Sequence, residues 1–313
     1  MKNILRILLM LGIASFFFGC GNQKEGTKSA DDGEKKLSVV ATIGMIGDVA
    51  QKIGGERISV YSMMGPGVDP HLYKAKAGDL ERLNKADLVL YNGIHLEAKM
   101  ADVLEKLSER KNIIAVSRSI PEDQLITIEG AHDPHIWFDV KNWIRASEEI
   151  RDALIHTDPQ GERRYREQQK AYKEELEELD AYVIKRAEEV TKEQRILITA
   201  HDAFNYFGRA YGFEVRGLQG ISTVDEAGTG DVRALADFIA EKKIGALFVE
   251  SSVSPKSIKA LQAAVRDRGW DVKIGGELFS DAMGTLGTPE GTYIGMVKHN
   301  IDTIVAGLTI TEE

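Results

Sequence analysis

One stretch of this chain divides the rest. Over residues 158–191 the sequence is rich in Glu, Lys, Arg and Gln, has no glycine after Gly161, and spaces Tyr165, Tyr172, Leu176, Leu179 and Val183 three, four or seven residues apart. Side chains so spaced share one face of an α-helix, so the segment predicts a single amphipathic helix. At about 1.5 Å per residue, a helix of about thirty residues reaches roughly 45 Å, more than one small domain needs within itself. A rigid connector between two lobes is the expected role, and a rigid connector resists wide hinge closure.

On each side of it, short apolar runs alternate with stretches of helical spacing. Before it, residues 37–43, 58–64, 88–91 and 113–116 read as strands and 45–53, 79–85 and 98–108 as helices. After it, strands are expected at 196–200, 214–218, 246–249 and 271–274, and helices at 203–210, 232–241, 255–268 and 291–307. The expected fold class is α/β, two (β/α) lobes with parallel sheets joined by a single long backbone helix. The boundaries that follow are an N-terminal lobe over 37–157, the linking helix over 158–191 and a C-terminal lobe over 192–313.

The start of the chain has a different character. Lys2 and Arg6 lead into an apolar run over residues 7–18, followed by Gly19, Cys20 and Gly21. A basic start, a short apolar core and small residues form a secretory signal, and the run is too short for a comfortable transmembrane helix. Cys20 is the only cysteine, so it has no disulfide partner within the chain, and it stands where cleavage would leave it as the new N-terminus. The pattern resembles the bacterial lipoprotein signal, with Phe17 where leucine is usual, and implies removal of residues 1–19 and acylation of the Cys20 thiol. Residues 20–36, with almost nothing apolar, are expected to be a flexible, solvated tether. Without residues 1–19 the chain carries 38 basic and 49 acidic residues, a net of −11. That balance argues against nucleic acid as a partner, which would call for a basic face, and suits the attraction of cations.

Asp-Pro-His occurs twice, at Asp69-Pro70-His71 and Asp133-Pro134-His135, and His201 and Asp281 stand where strands of the second half should end. Asp-Pro is a common turn opener and a lone histidine is usually a surface or hydrogen-bonded residue. Their coincidence in a chain of seven histidines points further. Imidazole and carboxylate are the ligands that Zn2+ and Mn2+ accept, and proline stiffens the backbone presenting them. In open α/β sheets, ligands bind beyond the carboxyl ends of strands, so His71 and His201 should face one cleft between the lobes.

Five segments in order carry a specific resemblance: Gly65-Pro66-Gly67-Val68-Asp69-Pro70-His71-Leu72-Tyr73, Tyr91-Asn92-Gly93-Ile94-His95-Leu96-Glu97, Asp133-Pro134-His135-Ile136-Trp137-Phe138-Asp139, Thr199-Ala200-His201-Asp202-Ala203-Phe204 and Gly276-Glu277-Leu278-Phe279-Ser280-Asp281. From residue 37 onward the chain resembles the TroA-type metal-receptor lipoproteins, the solute-binding proteins of zinc and manganese ABC importers. The resemblance implies one metal at the lobe interface, with His71 and His135 from the first lobe and His201 and Asp281 from the second. It also implies an ABC permease and its ATPase as partners, a monomer, and lipid anchoring through Cys20 at the extracytoplasmic face of the envelope, in the periplasm or on the outer surface. Many zinc receptors of the family carry a long His-rich loop between the first two ligands; residues 119–131 are short and hold no histidine. Manganese receptors usually offer glutamate at the position of His201, so three imidazoles and one carboxylate favour Zn2+, with Mn2+ kept open. His95 is expected to be structural or to support the ligands, and His132, His156 and His299 to lie at the surface or at helix ends.

Two other functions compete. A zinc hydrolase needs an open coordination position and a general base such as the Glu of His-Glu-x-x-His, and neither that motif nor a Gly-x-Ser-x-Gly elbow occurs. Gly228-Thr229-Gly230-Asp231 lacks the Lys-Ser/Thr of a phosphate loop and reads as a turn before a helix. A surface adhesin-type lipoprotein, in which any metal is structural, is the remaining alternative.

Overall fold

Strand β1 (Leu37–Ile43) is buried on both faces over most of its length, as befits the centre of a parallel sheet covered on two sides. It lies between β2 (Ile58–Met64) and β3 (Leu88–Tyr91), and β4 (Asn112–Ala115) completes a parallel sheet of order β2-β1-β3-β4. The computed structural model describes residues 35–309, so the signal peptide (1–19), Cys20 and most of the tether lie outside the described residues. The helices between these strands are α1 (Gly44–Gly54), α2 (Ala77–Lys85) and α3 (Ala101–Ser108). Helix α1 runs so close to β2 that a Cβ at Gly47 would meet Ser62 Oγ at 2.1 Å, and one at Gly54 would meet Ile58 Cδ1 at 2.2 Å. Only glycine permits that approach.

A short antiparallel pair, β5 (Thr127–Ile128) and β6 (Ala131–His132), precedes α4 (Val140–Thr157), whose N-terminus is capped by the Asp139 side chain accepting from Lys141 N at 2.9 Å. Sequence reading assigned no element to 140–157, although Trp143, Ala146, Ile150, Ala153 and Leu154 bury one helical face. The long helix α5 (Glu162–Ala187) is shorter than expected at both ends. Pro159 opens a turn of 3-10 helix over Pro159–Gly161, and the 26 residues of α5 span about 39 Å.

In the second half, β7 (Ile196–His201) and β8 (Glu214–Gln219) are parallel around α6 (Asn205–Tyr211). Helix α7 (Thr229–Lys242) opens where Gly228 N donates to Asp231, the expected turn. β9 (Ala246–Glu250) and β10 (Lys273–Leu278) are parallel around α8 (Lys256–Arg266), β7 lies beside β9, and α9 (Tyr293–Leu308) closes the fold. The α/β class with parallel strands and a long helix is therefore borne out.

Helix α5 buries Tyr165, Tyr172, Leu176, Leu179 and Val183 against α1 and α4 of the first half and α6 and α9 of the second. It is a packed spine rather than a bare strut. The larger core runs from β1, β3, α1, α4 and α5 into Phe207 and Tyr211 of α6 and Ile301 and Ile304 of α9, while a smaller one places Leu235, Ile239 and Leu261 over Ile198 and Leu247. The larger core thus crosses from one set of strands to the other, and the described residues pack as one unit. Among them, no helix is long and apolar enough to cross a membrane.

Candidate metal centre

Each Asp-Pro-His turn is held by its own aspartate. Asp69 Oδ1 accepts the backbone N–H of His71 at 2.8 Å, and Asp133 Oδ1 accepts that of His135 at 2.9 Å, so the two motifs share one side-chain-to-backbone turn. Gly67, at φ 72°, supplies the left-handed residue that turns the chain out of β2 toward His71. At the second motif Asp133 also lies 2.7 Å from His135 Nδ1. Pro134 O accepts from Asn92 Nδ2 at 2.9 Å. The buried Glu97 carboxylate in turn accepts from Thr42 Oγ1 at 2.6 Å, Asn92 N at 2.7 Å and Gly93 N at 3.2 Å. The 91–97 segment is thereby a brace for the second histidine.

His201 is the last residue of β7 and Glu250 the last of β9, which lies alongside. Glu250 Oε1 accepts from His201 N at 2.9 Å, and Oε2 sits 2.6 Å from His201 Nδ1, a close ionic contact bent away from a linear hydrogen bond. Asp281 follows β10 and is placed by Trp137, whose Nε1 donates to Ser280 O at 3.1 Å and whose own carbonyl accepts from Tyr293 Oη at 2.7 Å. Carboxylates at the Nδ1 atoms of His135 and His201 fix the tautomer that leaves each Nε2 lone pair facing inward.

The structure brings His71, His135, His201 and Asp281 together as one buried group, with one donor atom from each within 4.8 Å of all the others. His135 Nε2 lies 3.4 Å from His71 Nε2 and 3.3 Å from His201 Nε2. Asp281 Oδ2 is 3.3 Å from His201 Nε2 and 3.5 Å from His71 Nε2, and Oδ1 is 3.3 Å from His135 Nε2. A tetrahedral ion with bonds of about 2.05 Å separates its ligands by about 3.3 Å, close to these five distances. Neither oxygen of Asp281 makes a hydrogen bond of acceptable geometry, although both are sealed from water. A buried carboxylate with no donor is costly unless a cation sits against it.

Charge is balanced to match. Burial and the neighbouring His135 and His201, only partly offset by Asp281, bring His71 down to about 4. Burial also works against a proton on His135, but Asp133 and Asp281 overcome it and lift the group to about 9. His201 is likewise raised well above the usual histidine value, burial being outweighed by Glu250 and Asp281. Asp281 is held well below the carboxylate range, its burial outweighed by His201 and His135. Without metal, two imidazoliums stabilise the cluster; one divalent cation can replace their two protons with no change in net charge.

The other histidines stand apart from this group. His95 is exposed in left-handed backbone at φ 61°, so it neither braces nor ligates, contrary to the supporting role expected. His132 pairs with Glu122 at 2.9 Å at the surface, His156 is exposed in the last turn of α4, and His299 Nε2 lies 3.1 Å from Glu277 O. Sequence reasoning missed Glu250 and Thr223, whose hydroxyl donates to Asp69 Oδ2 at 2.6 Å. A glutamate ending an apolar strand was the available signal for Glu250; a threonine in the loop between β8 and α7 offered none.

Donors drawn from both halves and sealed from water suit a protein that encloses a cation and gives it up when the halves part, the class of metal-binding solute receptors. The chain belongs to the family described as zinc-uptake complex component A, periplasmic, whose model matches residues 39–307. It is 50% identical over 308 residues to the zinc-binding protein TroA of Treponema pallidum (strain Nichols), covering 98% of each chain. It is also 50% identical over 292 residues to the manganese-binding lipoprotein MntA of Bacillus subtilis (strain 168), covering 93% of this chain and 94% of that one. A solved structure of the periplasmic zinc binding protein TroA from Treponema pallidum matches with a TM-score of 0.87 and 52% identity, covering 88% of this chain and 100% of that one.

Proposed function

We propose that this chain is an extracytoplasmic receptor lipoprotein that binds one Zn2+ through His71, His135, His201 and Asp281 and delivers it to an ABC permease driven by its ATPase. The observation that carries this reading is the buried, convergent donor set with two Asp281 oxygens lacking hydrogen bonds. Four donors leave no place for a reactive water, which favours carriage over hydrolysis. Three imidazoles, with separations of 3.3 to 3.5 Å in the pairs that involve His135 or Asp281, favour a tetrahedral ion. A second reading, Mn2+, is favoured by Asp281, which turns one oxygen toward His135 and the other toward His71 and His201 and can chelate a larger ion through both. Relatives of equal identity are named for zinc and for manganese, so the names do not choose between the two.

The receptor is proposed to act as a monomer, held to the membrane by lipid on Cys20. The test is metal recovery from protein purified from its own host under limiting zinc and under limiting manganese, paired with Asp281→Ala in a competition titration against a chelating dye. One ion per chain and at least a tenfold weaker variant are expected. An adhesin need hold no ion, and wild-type affinity in the variant would exclude Asp281 as a ligand.

A further inference from the structure

The two halves are not joined evenly around the cluster. On the His135 side the bonds between them are several: Tyr206 Oη donates to Asp133 O at 3.0 Å, Asn205 Nδ2 to Asp133 Oδ2 at 3.0 Å, Trp137 Nε1 to Ser280 O at 3.1 Å and Tyr293 Oη to Trp137 O at 2.7 Å. His71 sits instead in a stretch without helix or strand between β2 and α2. Among the described residues, one hydrogen bond ties that stretch to the second half, from Thr223 Oγ1 to Asp69 Oδ2. The other oxygen of the same carboxylate holds His71 N. A cavity of about 390 Å³, lined by Gly44, Met64 and Pro66 of the first half and Met283, Gly284 and Leu286 of the second, opens beside the start of this stretch.

We infer that Thr223 is a positioning residue for metal retention: through Asp69 it holds the His71 turn against the second half, so that His71 is the ligand that departs first when metal leaves. The proposal rests on the metal-receptor reading and adds an order to release. The several bonds on the other side keep His135 and Asp281 together, whereas a single hydroxyl latches His71. The Thr223 hydroxyl is buried and its acceptor is a carboxylate, which places the bond among the stronger, charge-assisted kind.

Thr223→Val keeps the shape and removes the donor. In a chelator chase of the zinc-loaded full chain, it should speed zinc dissociation about tenfold while leaving the association rate within about twofold, and Thr223→Ser should restore the wild-type rate. The Co2+-loaded variant should keep the wild-type absorption spectrum, because the same four donors still bind. Hydrogen exchange of the metal-free variant should rise at residues 67–73 and not at 133–138. Asp69→Asn, which retains an acceptor for His71 N but weakens the one for Thr223, should act in the same direction and serves if the valine variant folds poorly. A wild-type dissociation rate in both variants, or exchange rising equally at 133–138, would overturn the latch. Failure of the wild type to take up zinc would instead overturn the receptor reading on which the latch rests.

Discussion

Glu250→Gln tests whether a residue that touches no metal sets the strength of the site. Glu250 accepts His201 N at 2.9 Å and faces His201 Nδ1 at 2.6 Å, both groups fully enclosed. Glutamine keeps the size and one acceptor oxygen but loses the charge. If that oxygen stays with the backbone N–H, the amide group confronts Nδ1 and drives the ring proton to Nε2, the atom that faces the cluster. Carboxylates that orient a metal-binding imidazole are typically worth ten- to a hundredfold in metal affinity, about 1.4–2.8 kcal/mol. The metal-free protein should also lose some stability, because the change preserves volume but leaves the buried His201 imidazolium with only one of its two carboxylate partners. Competition against a chromophoric chelator at fixed pH gives the affinity, and thermal melting of the metal-free protein gives the control. Zinc affinity within twofold of wild type, in a variant that still melts cooperatively, would refute the argument that Glu250 sets the tautomer of His201.

Metal affinity should fall as pH falls from about 9. His135, lifted to about 9 against its burial by Asp133 and Asp281, and His201, raised by Glu250 and Asp281, carry protons that a cation must displace, whereas His71, near 4, carries none at neutral pH. Titration in weak buffer at pH 7 should show about two protons released per ion, and no net release would contradict the charge balance. Changing His201→Glu creates a set of two imidazoles and two carboxylates and should raise the ratio of Mn2+ to Zn2+ affinity; a ratio that is unchanged or lower would defeat the ligand-identity argument. Replacing Cys20→Ser should abolish lipid labelling and normal cleavage in cells fed labelled palmitate, and undiminished label would remove the lipoprotein reading.

Much of the fold was legible because its parts are local. Strands such as β1 and β9 are short apolar runs, and the stripe from Tyr165 to Val183 specifies α5 by spacing alone. Helix α4 has no counterpart among the expected elements although Trp143, Ala146 and Ile150 recur at helical spacing, since its start follows directly on the Asp133-to-Asp139 motif with no break between turn and helix. The ends of α5 were overextended for a related reason: charged residues continue past Ala187, but the chain there leaves α-helical geometry, and Pro159 delays its start. The candidate ligands could be named from two repeated tripeptides and two strand ends. His95, inside a motif of the same family, could not be placed, since its φ of 61° turns the ring out to solvent and nothing in the local sequence announces that.

By itself the sequence determined most of the strands and helices, α4 and the β5–β6 pair excepted, and which imidazoles and carboxylates stand at strand ends, because apolar periodicity and turn chemistry act within a few residues. Only the tertiary structure decided which carboxylate serves which imidazole. Asp133 reaches His135 from two residues away, but Glu250 reaches His201 across 49 residues because β9 lies beside β7, and Thr223 reaches Asp69 across 154 because the loop before α7 folds over the first half. Such pairings depend on how strands are ordered and how the shared core of α5, α6 and α9 fixes one half against the other, and no local pattern encodes that order.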